Sequence, residues 1–193
     1  MISTFTAFFD ANVFYGSRLR SLVLYLAQTK IFRARWSEDV HGEWMQAVLR
    51  KRPDLMMERL EKTRRLMDKT VLDCLVTGYE GLISTLNLPD PDDRHVLAAA
   101  IVCRASCVVT FNERDFPHDV LEPFGLHTVH PDAFLLDAES MSPNDFADAV
   151  RDDFQHYSAP PLTFDSYVDS LAAAGVPDTA GYISKLRMIV DVA

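Results

Sequence analysis

Cysteine is scarce in this chain of 193 residues. Cys74, Cys103 and Cys107 are an odd number set in apolar sequence, with no CxxC pair and no histidines at zinc-ligand spacing. A disulfide framework and a structural zinc site are excluded, and reduced core thiols are expected. No stretch approaches the ~18 consecutive apolar residues of a membrane span, and the N-terminus has no basic region leading into an apolar core and a small-residue cleavage site. The expectation is a cytoplasmic protein. Low-complexity tracts and internal repeats are absent too, and 48% hydrophobic against 24% charged residues are ordinary globular values, so a disordered chain is excluded. This length suits one domain with an appendage.

Basic residues are in the minority. The formal net charge of -9 argues against a protein that coats nucleic acid in general. The distribution is uneven, however: residues 1–70 hold 13 of the 19 lysines and arginines against 8 acids, so one half is basic and the other strongly acidic. Arg50, Lys51, Arg52, Arg59, Lys62, Arg64, Arg65 and Lys69 fall in one helical-looking stretch. It reads equally as a local phosphate-binding surface or a solvated helix face.

Residues 4–9, TFTAFF, are β-branched and aromatic and predict a buried strand ending at Asp10. Leu19, Leu22, Val23, Leu26 and Ala27 then recur at helical spacing, so strand and helix form half of an α/β unit. Ser37, followed by Glu38 and Asp39, predicts a helix start, because a hydroxyl can cap free N–H groups and acids suit the positive end of the helix dipole. Pro53 interrupts the pattern, and residues 54–69 form a further amphipathic stretch. Residues 75–90 read as strand and loop, with Gly78 and Gly81 as breakers. Asp90, Pro91, Asp92 and Asp93 mark another helix start, continued by a small-residue helix from Val96 to Arg104 and a short parallel-type strand at 107–111. Beyond about residue 130, Pro and Ser separate short amphipathic helices such as 144–154 and 164–174. His41 and His95 are expected to be surface or partly buried helix histidines, and Trp36 and Trp44 packing residues.

In an open α/β sheet, ligands bind beyond the carboxyl ends of the strands, near the point where strand order reverses. Asp10 and the pair Asn112/Asp115 both fall where parallel strands end. Glu43, one turn into the helix after Ser37, and Asp92 or Asp93 at a helix start can converge there. Carboxylates brought together repel one another and lose hydration, so such a cluster calls for a cation, and oxygen ligands suit Mg²⁺ or Mn²⁺. Phosphodiester hydrolysis is the chemistry that fits.

The order "FFDANVFY", "WSEDVHGEW", "DPDDRHVLAAAI" and "VVTFNERDFP" resembles the PIN-domain ribonucleases, in particular the VapC-type toxins of prokaryotic toxin–antitoxin pairs. The resemblance covers about residues 4–130, and the residues beyond that range look like the helical extension carried by one group of these toxins. It implies a three-layer α/β/α fold around a central parallel sheet, with a nuclease domain at 1–133 and a helical extension at 134–193. It also implies Mg²⁺- or Mn²⁺-dependent endonucleolytic cleavage of RNA. By motif position Asp10 is the first metal ligand, Glu43 the acid that orients or deprotonates the attacking water, Asp93 the third acid, and Asp115 with Asn112 closes the site. Asp10, Asp93 and Asp115 would touch the metal. The family commonly has an acid immediately before the small-residue helix, where this chain has Arg94, which leaves Asp92 as an alternative third acid. Many relatives have Asp where this chain has Asn112.

Thr110 and Asn112 are expected to position water or the scissile phosphate, and Arg33 and Arg35 either grip RNA phosphates at the cleft mouth or are solvated loop charges. The resemblance further implies a cognate antitoxin of the VapB type or similar and a homodimer, with no membrane association. The rival readings are a catalytically inactive PIN-like module that binds RNA or protein, and a receiver-like phospho-acceptor domain. Against the latter, no acidic pair follows the first strand and no suitably placed lysine follows a late one.

Overall fold

The apolar tetrapeptide Thr6–Phe9 forms strand β1, buried along its whole length. A computed structural model describes residues 5–158 and 160–190. Thr4, the first residue of the expected strand, and the last three residues of the expected extension lie outside the described residues. Strand β1 is followed by helix α1 (Ser17–Gln28), strand β2 (Arg33–Ser37), helices α2 (Glu38–Lys51) and α3 (Met57–Thr70), and strand β3 (Leu75–Val76). Next come helices α4 (Glu80–Ile83) and α5 (Arg94–Val102), strand β4 (Cys107–Val109), helix α6 (His118–Leu121) and strand β5 (His127–Val129). Helices α7 (Pro131–Met141), α8 (Pro143–His156), α9 (Phe164–Ala173), α10 (Pro177–Lys185) and α11 (Arg187–Val190) complete the described chain.

The strands form one parallel sheet in the order β3-β2-β1-β4-β5, which gives the expected PIN-like α/β/α class. The chain runs outward from β1 to β2 and β3 and then crosses back to β4 on the other side of β1. The order therefore reverses between β1 and β4. Parallel strands covered on both faces need continuous apolar runs, and "TAFF" and "CVV" supply them. Phe8, Phe9, Trp36, Trp44, Val108 and the small residues Ala98, Ala99 and Ala100 of α5 are all buried. Cys74 and Cys107 are buried and Cys103 half-buried, and all three are free thiols.

Two local expectations are met in detail. Ser37 caps α2, its hydroxyl accepting from the Val40 N–H at 3.2 Å. Asp90 caps a 3-10 turn, Pro91–Asp93, by accepting from the Asp92 N–H at 2.9 Å, and α5 follows at once. The stretch 75–90, expected as strand and loop, also holds one turn of helix, α4. His41 on α2 is fully buried: its Nδ1 accepts from the Trp44 indole N–H (2.9 Å) and its Nε2 donates to Asp68 of α3 (2.8 Å). Asp68 also accepts from the Trp36 indole N–H (3.0 Å), so one carboxylate ties α2, α3 and β2 together. Burial holds His41 below its ordinary pKa against the pull of Asp68, and the imidazole stays neutral.

Contacts divide the chain into two compact units, Met1–Tyr15 with Phe32–His130, and Gly16–Ile31 with Pro131–Ala193. Helix α1 thus groups with the C-terminal helices, where the sequence pattern had paired it with the strand before it. Its stripe of Leu19, Leu22, Val23, Leu26 and Ala27 is buried, and α8 is its main neighbour in that unit. Ser21 of α1 donates to Asp153 of α8 at 2.5 Å, Tyr167 of α9 donates to the same carboxylate at 2.7 Å, and the Arg18 guanidinium lies 3.8 Å over the Tyr157 ring. Asp132 caps α10 from a distance, accepting from the N–H groups of Asp178 (2.9 Å) and Thr179 (2.8 Å).

Candidate active site

The register of β1 and β4 pairs Phe9 with Val109, so the next residues of each strand, Asp10 and Thr110, emerge side by side at the carboxyl edge. The backbone ladder continues one step beyond the strands: the Asp10 N–H donates to the Val109 carbonyl and the Thr110 N–H to that of Val129, both at 3.1 Å. Asp10 is therefore fixed at the switch point by the sheet itself. Its side chain is 4% exposed, so the carboxylate faces inward.

Two side chains lock around Asp10. The Thr110 hydroxyl donates to Asp10 Oδ2 at 2.7 Å, and Asn12 Nδ2 donates to the same oxygen at 2.6 Å and to Thr110 Oγ1 at 2.9 Å. Asn12 Oδ1 accepts from the Phe111 N–H (3.1 Å), and Thr110 Oγ1 from the Asn112 N–H (3.0 Å). The hydroxyl of Thr110 thus uses its one donor and both lone pairs within the protein. It positions Asp10, and the expectation that it holds water or phosphate directly is corrected by that saturation.

Glu43, in the second turn of α2, and His95, in the first turn of α5, meet across the site, His95 Nε2 lying 2.7 Å from Glu43 Oε1. The imidazole is 8% exposed, and its Nδ1 is buried without a hydrogen-bond partner among the described residues. Burial opposes the charged form of His95, but the hydrogen bond and charge of Glu43 outweigh it and raise its pKa. Asp93 is half-buried at the end of the 3-10 turn. Burial, followed by the charges of Asp10, Asp90, Asp115 and Glu43, pushes its carboxyl up to about 7. Asp10 is raised as well, by burial and then by Glu43, against the lowering hydrogen bond from Thr110. Asp115, in the 3-10 turn Glu113–Asp115, is half-buried and acts on Asp93.

Asp10, Glu43 and Asp115 thus all act on Asp93, while the other sequence candidates fall elsewhere. Asp92 is exposed, and its N–H is spent on Asp90. Asn112 has an exposed side chain and meets the network through its backbone N–H. Arg33 and Arg35 do not stand at the cleft mouth. They lie in β2, where the register sets Arg33 level with Thr6 and Arg35 level with Phe8, toward the amino edge of the sheet, and Arg35 is held by Asp73 at 2.5 Å. Two residues went unrecognised in the sequence: Asn12, which appeared only inside the first motif, and His95, read as an ordinary helix histidine. Tyr15 is a third, 36% exposed, its phenol raised by burial and then by the charges of Asp10 and Glu43.

Among the described residues, no three histidine, cysteine, aspartate or glutamate side chains form a ready-made group able to hold a metal ion. The donor set nevertheless fits a hard divalent cation. It is all carboxylate oxygen, and Asp93, pushed up to about 7 by burial and then by the charges of its acidic neighbours, lies in a partly dry space among carboxylates.

A parallel sheet with acids gathered where its strand order reverses defines the class. The model of the PIN domain matches residues 6–114, more than half of the chain, and the chain belongs to the PIN domain family. The model of the VapC50 C-terminal domain matches residues 131–185. The chain is 38% identical over 109 residues to a protein of Mycobacterium tuberculosis (strain ATCC 25618 / H37Rv) named "Putative ribonuclease VapC50". That similarity spans 56% of this chain and 63% of that protein. No solved structure matches the chain.

Proposed function

We propose that this protein is a Mg²⁺- or Mn²⁺-dependent endoribonuclease, the toxin of a type II toxin–antitoxin pair, working in the cytoplasm and silenced by a VapB-type antitoxin. No described helix is long and apolar enough to cross a membrane. The observation that carries the reading is Asp10, buried at the switch point beside Thr110, with Glu43 and Asp115 near enough that they and Asp10 all act on the half-buried Asp93. Membership of the PIN domain family and the similarity to a protein named as a ribonuclease support it.

Asp10, Asp93 and Asp115 would hold the ion, which when bound offsets negative charge developing on the phosphate oxygens. Thr110 and Asn12 keep the Asp10 carboxylate in one orientation, so the ligand is set before substrate arrives. Glu43 takes the proton of the attacking water, with His95 fixing the rotamer of its carboxylate. Residues 1–133 would be the nuclease domain and 134–193 the extension, the α1 helix joining the latter in space, and the family resemblance argues for a homodimer.

Incubation of purified protein with total RNA, with Mn²⁺ and with EDTA, tests the reading. Discrete fragments that form only with the metal, and not with the Asp10→Asn variant, are expected. Cleavage by Asp10→Asn at the parent rate would overturn the assignment. The rival reading, an inactive module that binds RNA or protein, draws on the missing ready-made ligand group. RNA binding without any cleavage across Mg²⁺ and Mn²⁺ would establish it instead.

A further inference from the structure

Helix α3 carries a row of exposed cations. Arg59, Lys62, Arg65 and Lys69 are all exposed, and their spacing of three, three and four residues sets them along one face. Leu60 and Met67 are buried on the opposite face. Among the described residues, none of the four cations joins an ion pair. Arg64, turned inward between them, behaves differently: it binds Glu38 at 2.6 Å and Glu61 at 3.3 Å. Like charges at these spacings repel, and Arg59 in the first turn opposes the positive end of the helix dipole, although Glu58 and Glu61, four residues before Lys62 and Arg65, offset part of that cost. Only Lys69, in the last turn, suits the dipole. In a chain of net charge -9, such a row runs against the general sign.

We infer that the outer face of α3 holds the phosphodiester backbone of single-stranded RNA away from the scissile bond, an inference that rests on the nuclease reading. A polyanion with charge repeated along its length complements a linear row of cations. No aromatic residue occurs in α3, so nothing there stacks on bases, and the contact tracks phosphates without selecting sequence. The exposed Met56, with Glu58, Arg59, Lys62 and Arg65 around a shallow pocket of about 260 Å³, adds apolar surface for a sugar edge, the three cations outnumbering the one carboxylate there. Helix α3 is tied to the helix that carries Glu43: Arg64 binds Glu38 at the start of α2, and Glu43 lies five residues further along α2, about 7.5 Å of helix axis.

The test compares the full-length parent with Arg59→Gln/Lys62→Gln/Arg65→Gln/Lys69→Gln, binding a labelled single-stranded RNA in EDTA over a salt series. The expected result is at least about a tenfold loss of affinity at low salt and a log–log salt slope shallower by about 3, since each lost phosphate contact removes about 0.7. If the fourfold variant does not fold, the double variants Arg59→Gln/Lys62→Gln and Arg65→Gln/Lys69→Gln should each lower the slope by about half as much. Arg59→Lys/Arg65→Lys should keep the parent slope.

Equal affinity and slope in parent and variants would overturn the inference, including the case where a co-purifying protein partner is lost while RNA binding is kept. Cleavage with Mn²⁺ separates the two readings. A parent that cuts no RNA, with the slopes still different, sinks the nuclease reading alone. A parent that cuts RNA, with the slopes coincident, sinks the α3 site alone.

Discussion

His95 Nε2 lies 2.7 Å from Glu43 Oε1, and the imidazole is buried while the carboxylate is 41% exposed. The histidine therefore anchors the acid from the protein side and leaves part of the carboxylate open to solvent. A carboxylate only accepts, so Nε2 carries the hydrogen. The expected consequence is a positioning role. His95→Ala should lower kcat by about 10- to 100-fold, within the span of a general-base contribution, with KM for RNA nearly unchanged. His95→Gln, whose amide can still donate to Glu43, should recover part of the loss. Steady-state kinetics on one RNA substrate checks this, and equal kcat for His95→Ala and the parent would remove His95 from the site.

Asp10 faces the opposite demand. Its carboxylate is buried, and burial raises its pKa despite the hydrogen bond from Thr110, so the charge is held at a cost in the metal-free protein. Asp10→Asn keeps an oxygen for Thr110 and Asn12 to bond while removing the charge. The variant should lose at least about 100-fold in cleavage rate, yet melt about 2–4 °C higher than the metal-free parent, the size of shift a stabilised domain of this length shows. Calorimetry in EDTA beside an RNA cleavage assay tests both halves; a lower melting temperature would mean that the charge itself organises the 3-10 turn Ala11–Phe14 that follows Asp10.

Asp153 gives a pH dependence far from the acids in sequence and within the other unit. It is fully buried between Ser21 and Tyr167, and burial raises its carboxyl to about 6 from an ordinary 3.8. A carboxyl whose folded pKa is raised binds more protons in the folded state. Its contribution to stability is complete below about pH 4 and is lost as pH rises through about 6, an amount on the order of 3 kcal/mol. Asp153→Asn should flatten that part of the profile. The check is urea unfolding of parent and variant across this range, the difference between the two curves isolating one group from all other titrations.

Much of this was legible in the sequence, and the limits have physical causes. "TAFF" ending on Asp10, the Ser37 cap and the Asp90 cap are local signals, and each sits where its chemistry predicts. The partner of α1 was not legible, because an apolar stripe states that a face is buried but not against what. Asn12 and His95 escaped because their roles depend on neighbours 98 and 52 residues away along the chain. Arg33 and Arg35 were misplaced for a different reason. They alternate with the buried Ala34 and Trp36, the period of a strand, and in a parallel sheet a strand's first residues lie at the edge away from the site.

Asp93 links the candidate site to proton concentration. With its carboxyl at about 7, raised by burial and by Asp10, Asp90, Asp115 and Glu43, a proton occupies it over much of the neutral range in the metal-free protein. A divalent ion needs the deprotonated oxygen, so proton and metal compete for one group. Mn²⁺ should therefore raise the melting temperature more at about pH 8 than at about pH 5.5, and EDTA should abolish the gain at either. Asp93→Asn should reduce the gain and most of its pH dependence, whereas Asp92→Asn should leave both as in the parent, because Asp92 is exposed and meets the turn only through its N–H, which Asp90 caps. Thermal melts of the three proteins in metal and in chelator decide between the two aspartates, and a pH-dependent gain that followed Asp92 would reverse the assignment.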